Sequence, residues 1–229
     1  MIHKQDIQRE MKLVWSPDKA SKAYLDTVKS CELLQESTEA DLISAMAAGW
    51  DAQMIVETWS RGGATSTSIG LSNAIHQTGG RHTCIVPNED SKTEYESSIM
   101  DKITGMSPEI VIGEPEETLE TLTGIDFLVL DCEKNDFSRI LKVVKLGNRG
   151  AVLVCKNVSS RAVSDFRWRS VLDGKSRIVR SVFLPVGKGL DIAHVGAAGA
   201  GKIGSGGRME RKWIRRFDRE SGEEFVIRK

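Results

Sequence analysis

Two uninterrupted apolar runs constrain this chain more than any other feature. Phe127-Leu128-Val129-Leu130 leads straight into Asp131, and Ala151-Val152-Leu153-Val154-Cys155 leads into Lys156-Asn157. Runs of this kind, without polar alternation, read as strands buried on both faces, as in a parallel sheet covered by helices. The polar residues then fall at the carboxyl ends of the strands, where open α/β sheets place their ligands. Two neighbouring strand ends would bring Asp131, Lys134, Lys156 and Asn157 to one rim. The plainer reading is that these are ordinary turn residues. Two such ends in one alternating chain single them out.

The alternation extends over most of the sequence. Ser16-Pro17-Asp18 opens a helix with a cap residue, a proline in the first turn and an acid near the positive end of the dipole. A second helix runs from Glu39 to Ala48 and is stopped by Gly49. Strands are predicted at 54–57, 82–86, 109–112, 127–131 and 151–155, with helices at 65–76, 115–122, 137–145 and around 164–172. Pro185-Val186-Gly187-Lys188-Gly189-Leu190 joins two further strands into a hairpin. The fold class is α/β: a Rossmann-like open, mostly parallel sheet with right-handed crossovers and a C-terminal antiparallel hairpin. Four parts follow: a helical extension at 1–38, a domain at 39–197, a Gly-rich linker at 198–207 and a basic tail at 208–229.

Charge and cysteine usage exclude several classes. The 32 basic and 32 acidic residues cancel, so the whole chain makes no case for nucleic acid or membrane binding. The stretch from Lys202 onward holds nine basic residues against five acidic ones. Arg211-Lys212-Trp213-Ile214-Arg215-Arg216-Phe217 interleaves cations with aromatics, a pattern suited to RNA or an anionic surface and equally to a tail packed on the domain. Ser221-Gly222 can turn the chain into a short strand at 223–227. Four cysteines lie far apart with no metal or redox spacing, and fit free thiols. No secretory leader or apolar span of about 20 residues is visible. A reducing, cytoplasmic setting is expected. His3, His76, His82 and His194 are isolated and read as structural. Gly199-Ala200-Gly201-Lys202-Ile203 lacks the hydroxyl that a phosphate loop requires after its lysine.

From Glu39 to Ala197 the order of elements resembles the class I S-adenosylmethionine-dependent methyltransferases, and most closely the small cation-dependent catechol and caffeoyl-CoA O-methyltransferases. Ile55-Val56-Glu57-Thr58-Trp59-Ser60-Arg61-Gly62-Gly63 is similar to that family's first strand and glycine turn, with Trp59 in place of the first glycine. Leu128 to Lys134 reproduces its apolar run, Asp, two variable residues and Lys. The resemblance implies S-adenosylmethionine as cofactor. It implies contacts from Glu57, Trp59, Gly62, Gly63, Glu89, Gly113, Glu114 and Asp131. The acid that would hold the ribose hydroxyls aligns near Val86, so Glu89 and Asp90 are displaced from it. Catalytic roles fall to Asp131, Lys134, Lys156 and Asn157, with Lys134 as base.

The family's metal-binding Asp-Asn pair is here Lys156-Asn157. An ammonium repels a divalent ion by twice the roughly 4 kcal/mol of a unit pair at contact. No metal is therefore expected, and Lys156 is expected to pair with Asp131. The expected activity is O-methyl transfer to a small hydroxylated acceptor, and the alternative is an inactive binding or scaffold module. A homodimer is a further expectation, and nucleic acid or an anionic surface enters only through the tail. Trp15-Ser16-Pro17 and Gly187-Lys188-Gly189-Leu190 are also similar to segments of a plant family with an altered methyltransferase-like domain, which adds no chemistry.

Overall fold

The structure, a computed structural model, describes residues 15–32, 37–99, 102–103, 106–131, 137–158, 168, 178–197, 213–217 and 224–228. Of the expected helix around 164–172 only Trp168, which is helical, is among them; the Gly-rich run at 198–207, Cys132 and Lys134 lie outside. The chain forms two compact units, 1–198 and 199–229.

The first unit runs α1 (Pro17–Cys31), α2 (Ser37–Gly49), β1 (Met54–Thr58), α3 (Ser66–Thr78), β2 (Arg81–Val86), α4 (Glu89–Ile99), β3 (Glu109–Ile112), α5 (Pro115–Thr121), β4 (Phe127–Asp131), α6 (Phe137–Val143), β5 (Ala151–Lys156), β6 (Ile178–Leu184) and β7 (Leu190–Val195). The strands make one sheet in the order β3-β2-β1-β4-β5-β7-β6. β3 to β5 are parallel; β7 pairs antiparallel with both β5 and β6. This is the mostly parallel sheet with a closing antiparallel hairpin that the apolar runs and the β6–β7 turn imply.

Side chains alternate across the sheet, and both faces are covered, which is why the runs contain no polar alternation. Ile55, Phe127, Val129, Val152 and Val154 pack with Ala23 of α1, Ile43 and Ala47 of α2, and Leu71 and Ile75 of α3. Val56, Leu128, Leu130, Leu153 and Cys155 pack with Leu119 of α5 and with Ile140 and Leu141 of α6. Each such large side chain stabilises the unit by roughly 1.5–3 kcal/mol relative to exposure. α1 shares this core: Thr27 Oγ1 donates to Ser44 Oγ at 2.9 Å and accepts from Asn73 Nδ2 at 3.2 Å.

Two local expectations are corrected. Ser16 precedes α1, yet its side chain makes no capping bond. Its backbone N–H instead donates to the Gly49 carbonyl at 2.8 Å. Gly49 is the last residue of α2 rather than the first beyond it, and the Trp15 ring lies where a Cβ at Gly49 would be. The glycine serves close approach of that indole.

Asp126 fixes the start of the sheet. It is buried, and its carboxylate accepts from the backbone N–H groups of Gln53 and Met54 at 2.9–3.1 Å and from Arg149 Nε at 3.1 Å. Cys31, Cys84 and Cys155 are buried. Among the described residues, no helix is long and apolar enough to cross a membrane. In the second unit, β8 (Trp213–Phe217) and β9 (Glu224–Arg228) pair antiparallel, with Trp213 opposite Arg228 and Phe217 opposite Glu224.

Candidate functional site

The chain leaves β1 toward β2 on one side, while β4 continues to β5 on the other. The sheet order therefore reverses between β1 and β4. In doubly wound sheets this switch point opens a crevice beyond the carboxyl ends of the strands. Thr58, Asp131 and Lys156 end β1, β4 and β5, so they sit on the rim of that crevice.

Asp131 and Lys156 are register partners across β4 and β5. Asp131 donates its N–H to Thr58 Oγ1 at 3.3 Å, and its Oδ1 accepts from Asn157 Nδ2 at 2.8 Å. Asn157 makes this contact from a left-handed backbone, φ 59°, a conformation Asn tolerates better than most residues. The rim thus brings together Asp131, Lys156 and Asn157, three of the four residues expected to be catalytic. Lys134, the fourth, lies outside the described residues.

The expected ion pair between Lys156 and Asp131 is not formed. Lys156 is buried, donates to Thr67 Oγ1 at 2.6 Å, and lies 3.6 Å from Glu39 Oε1. The reason is local: Asp131 already accepts from Asn157, whereas the first turns of α2 and α3 present Glu39 and Thr67 to the ammonium. Burial raises the Glu39 pKa, and the nearby Lys156 charge offsets only part of that rise. Gly187 of the β6–β7 turn, φ 58°, lies so close that a Cβ would collide with the Glu39 carboxylate. Sequence reading missed Glu39 and Thr67. No spacing along the chain marks either as a partner of Lys156.

The β1–α3 turn is filled from within. Trp59 is only 5% exposed; its ring meets Tyr95 edge-on at 5.2 Å, and its Nε1 donates to the Gly63 carbonyl at 3.1 Å. The side chain of Trp59 is thereby committed to packing against α4 and β2, in a cluster with Cys84, Val86 and Ile99. Gly62 has φ 73°, and a Cβ there would meet nothing, so the space beside it is open. Its N–H, however, donates to Glu94 Oε1 at 3.0 Å, while Arg61 Nε donates to Glu94 Oε2 at 2.8 Å. Glu94 gave no signal in the sequence.

Glu57 is 3% exposed and faces inward. Its Oε1 lies 3.0 Å from His82 Nε2 and accepts from the Tyr95 hydroxyl at 3.1 Å. Burial pushes its pKa up, but the hydrogen bond and charge of His82 outweigh this and hold the carboxyl below its ordinary value. Burial, reinforced by the Glu57 charge, drives the Cys84 thiol and the Tyr95 phenol well above their usual ranges. His82 is thus a partnered structural histidine.

Beyond the ends of β2 and β3 the acidic side chains are exposed. Val86 is fully buried, and Asn88 Oδ1 caps α4 by accepting from the Ser91 N–H at 2.9 Å. Glu89 is exposed in the first turn of α4. Gly113 donates its N–H to the Val86 carbonyl at 2.9 Å, and Glu114 stands exposed before α5. Neither Glu89 nor Glu114 joins the Asp131 rim. Among the described residues no group of three or more His, Cys, Asp or Glu side chains is placed to hold a metal.

Comparison with known proteins bears on this architecture. A family model described as "Protein of unknown function (DUF1442)" matches residues 11–229. No curated protein matches the chain. Among solved structures, it is similar to a methyltransferase from Geobacter sulfurreducens, at TM-score 0.55 and 17% identity over 76% of this chain and 88% of that one. A methyltransferase of Podospora anserina with bound SAH gives TM-score 0.54 and 13% identity, over 79% and 89%. An O-methyltransferase of Streptomyces achromogenes involved in tomaymycin synthesis, in complex with SAM, gives 0.52 and 20%, over 81% and 93%. At these identities the likeness establishes the methyltransferase-like fold.

Proposed function

Because the chain belongs to the DUF1442 family, a membership that carries no chemistry with it, we propose its function from the fold and the rim: an S-adenosylmethionine-binding, methyltransferase-like protein acting on a small hydroxylated acceptor. The observation that carries this reading is the Asp131–Asn157 pair at the switch point of the sheet, beside the β1–α3 turn. The solved neighbours with bound SAM and SAH support the choice of cofactor.

The residues present fit the charged amino-acid end of such a cofactor. Thr65 makes no side-chain cap at the start of α3, so that helix keeps N–H groups for a carboxylate. Gly62 leaves open space beside the β1–α3 turn. The backbone of Gly63 and the turn at Gly113–Glu114 complete the proposed cofactor contacts. Val86 offers the ribose hydroxyls no carboxylate, and Glu89 is displaced from that position. S-adenosylmethionine supplies a methyl group when bound.

The chain's own part is to hold the acceptor and take its proton. Asn157 orients Asp131, and Asp131 is the proposed partner of Lys134, the proposed proton acceptor. Lys156 puts an ammonium where the resembling enzymes carry a metal ligand, so these residues do not fit a divalent cation, and we assign the reaction no metal. Buried cysteines without metal or redox spacing suit a cytoplasmic protein.

Calorimetric titration with S-adenosylmethionine and S-adenosylhomocysteine tests the reading. Weak binding is expected, with Kd from about 10 µM to 1 mM, or roughly −4 to −7 kcal/mol. Quenching of Trp59 emission should accompany it, because that indole borders the turn. No heat and no thermal shift with either compound would sink the enzyme reading. It would favour the second one, a fold kept as a binding or scaffold module, which the inward-packed Trp59 and the apolar Val86 support.

A further inference from the structure

β6 ends the seven-stranded sheet, and among the described residues no strand pairs with its outer edge. It spans seven residues, Ile178-Val179-Arg180-Ser181-Val182-Phe183-Leu184, with a single charge. Three of its large apolar side chains are exposed: Val179 by 62%, Phe183 by 51% and Val182 by 37%. Edge strands are normally blunted by several charges, by proline, by shortness or by a covering element. The device β6 shows is an irregularity between Ile178 and Arg180, which leaves Arg180 to Leu184 in regular register with β7. That run keeps a row of backbone donors and acceptors along an apolar edge, a template for another strand.

We propose that this edge is a homodimer interface in which β6 pairs antiparallel with β6 of a second copy, about a two-fold axis at Val182. The strand is complementary to itself in this register. Val182 meets its own mate, Phe183 lies opposite Ser181, and Leu184 lies opposite Arg180. Apolar contact gathers at the centre, and the only charges fall at the two ends. The two Arg180 residues are then about 13 Å apart along the ladder, beyond the Debye length of about 8 Å at physiological salt. A two-fold at Arg180 would place like charges directly opposite, which is destabilising. The irregularity at Ile178–Arg180 stops the pairing where the regular run ends. Closed two-fold pairing also consumes the edge, so assembly ends at the dimer. The proposal is independent of what the Asp131 rim binds.

Sedimentation analysis of the full chain across low to high micromolar concentration should show a monomer–dimer equilibrium. Val182→Lys and Phe183→Lys should each weaken it at least tenfold. Directly opposed residues in an antiparallel pair have Cα atoms about 4.5–5.5 Å apart, within disulfide range. Val182→Cys should therefore cross-link to its own mate under mild oxidation, while Arg180→Cys should not. The native chain is the control for Cys31, Cys84, Cys132 and Cys155. A native chain that stays monomeric throughout overturns the proposal. So does a dimer indifferent to both lysine substitutions, or one in which Arg180→Cys cross-links as well as Val182→Cys.

Discussion

A carboxylate removed from water must be held by its neighbours, and Glu57 Oε1 is held by His82 and Tyr95. Because His82 depresses its pKa below 4.5, Glu57 contributes stability that is present above the unfolded value and lost as pH falls through the folded one. Glu57→Gln should therefore lower the stability at pH 7 by about 1–3 kcal/mol, leaving His82 and Tyr95 poorly paired. That is a fall of roughly 2–12 °C at 2–4 °C per kcal/mol. The gap between variant and native melting temperatures should close as pH drops below 4.5. A gap that stays constant down to acid pH would refute the assignment. Lys156 poses the opposite problem, a buried cation, which we propose keeps divalent metals away. Lys156→Asp would set three carboxylates, Glu39, Asp131 and the new one, around the same rim. Calcium or magnesium should then raise its melting temperature and leave the native protein unchanged; a native chain that responds equally would show that Lys156 does not exclude the ion.

At the scale of elements, the sheet depends on how β1 and β4 are started together. Asp126 ties the N–H groups of Gln53 and Met54 to the residue before β4, with Arg149 closing the cluster. Asp126→Ala removes the acceptor for two backbone donors, one of them buried, and should cost about 2–5 kcal/mol, whereas Asp126→Asn, which keeps an acceptor, should cost less. Equal melting temperatures for the two variants would mean that the cluster contributes packing only. Elements of this kind were legible because period and punctuation are local. Phe127 to Asp131 and Ala151 to Lys156 announce buried strands, and Pro185 to Leu190 announces a hairpin. The Asp131–Asn157 rim was legible too, since strand ends follow from strands. What could not be read were contacts made across long separations: Glu39 and Thr67 reaching Lys156, and Glu94 closing on Gly62. Those depend on how helices land on the sheet, and no spacing along the chain encodes it. Trp59 shows the same limit, because its type is visible in the sequence but its inward packing against Tyr95 is not.

Over the whole molecule, the division at residue 198 separates two kinds of stability. The first unit buries two faces of a seven-stranded sheet, and removing any of its elements would open that core. The second unit contributes one described pair of strands, β8 and β9, and a two-stranded hairpin is marginal by itself in water. We expect the fold to reside in 1–198 and the basic stretch beyond it to serve partners. Truncation after Ala198 should leave the melting temperature and the cofactor titration unchanged within error. The stretch from Lys202 to Lys229 carries an excess of four positive charges. If it serves an anionic partner, the full chain should bind single-stranded RNA or anionic vesicles with an affinity that falls steeply between low and physiological salt, and the truncated chain should not bind. A truncation that lowers the melting temperature by many degrees would instead make residues 199–229 part of the core. The boundary would then have to be moved, whatever the Gly-rich composition of 198–207 suggests from sequence.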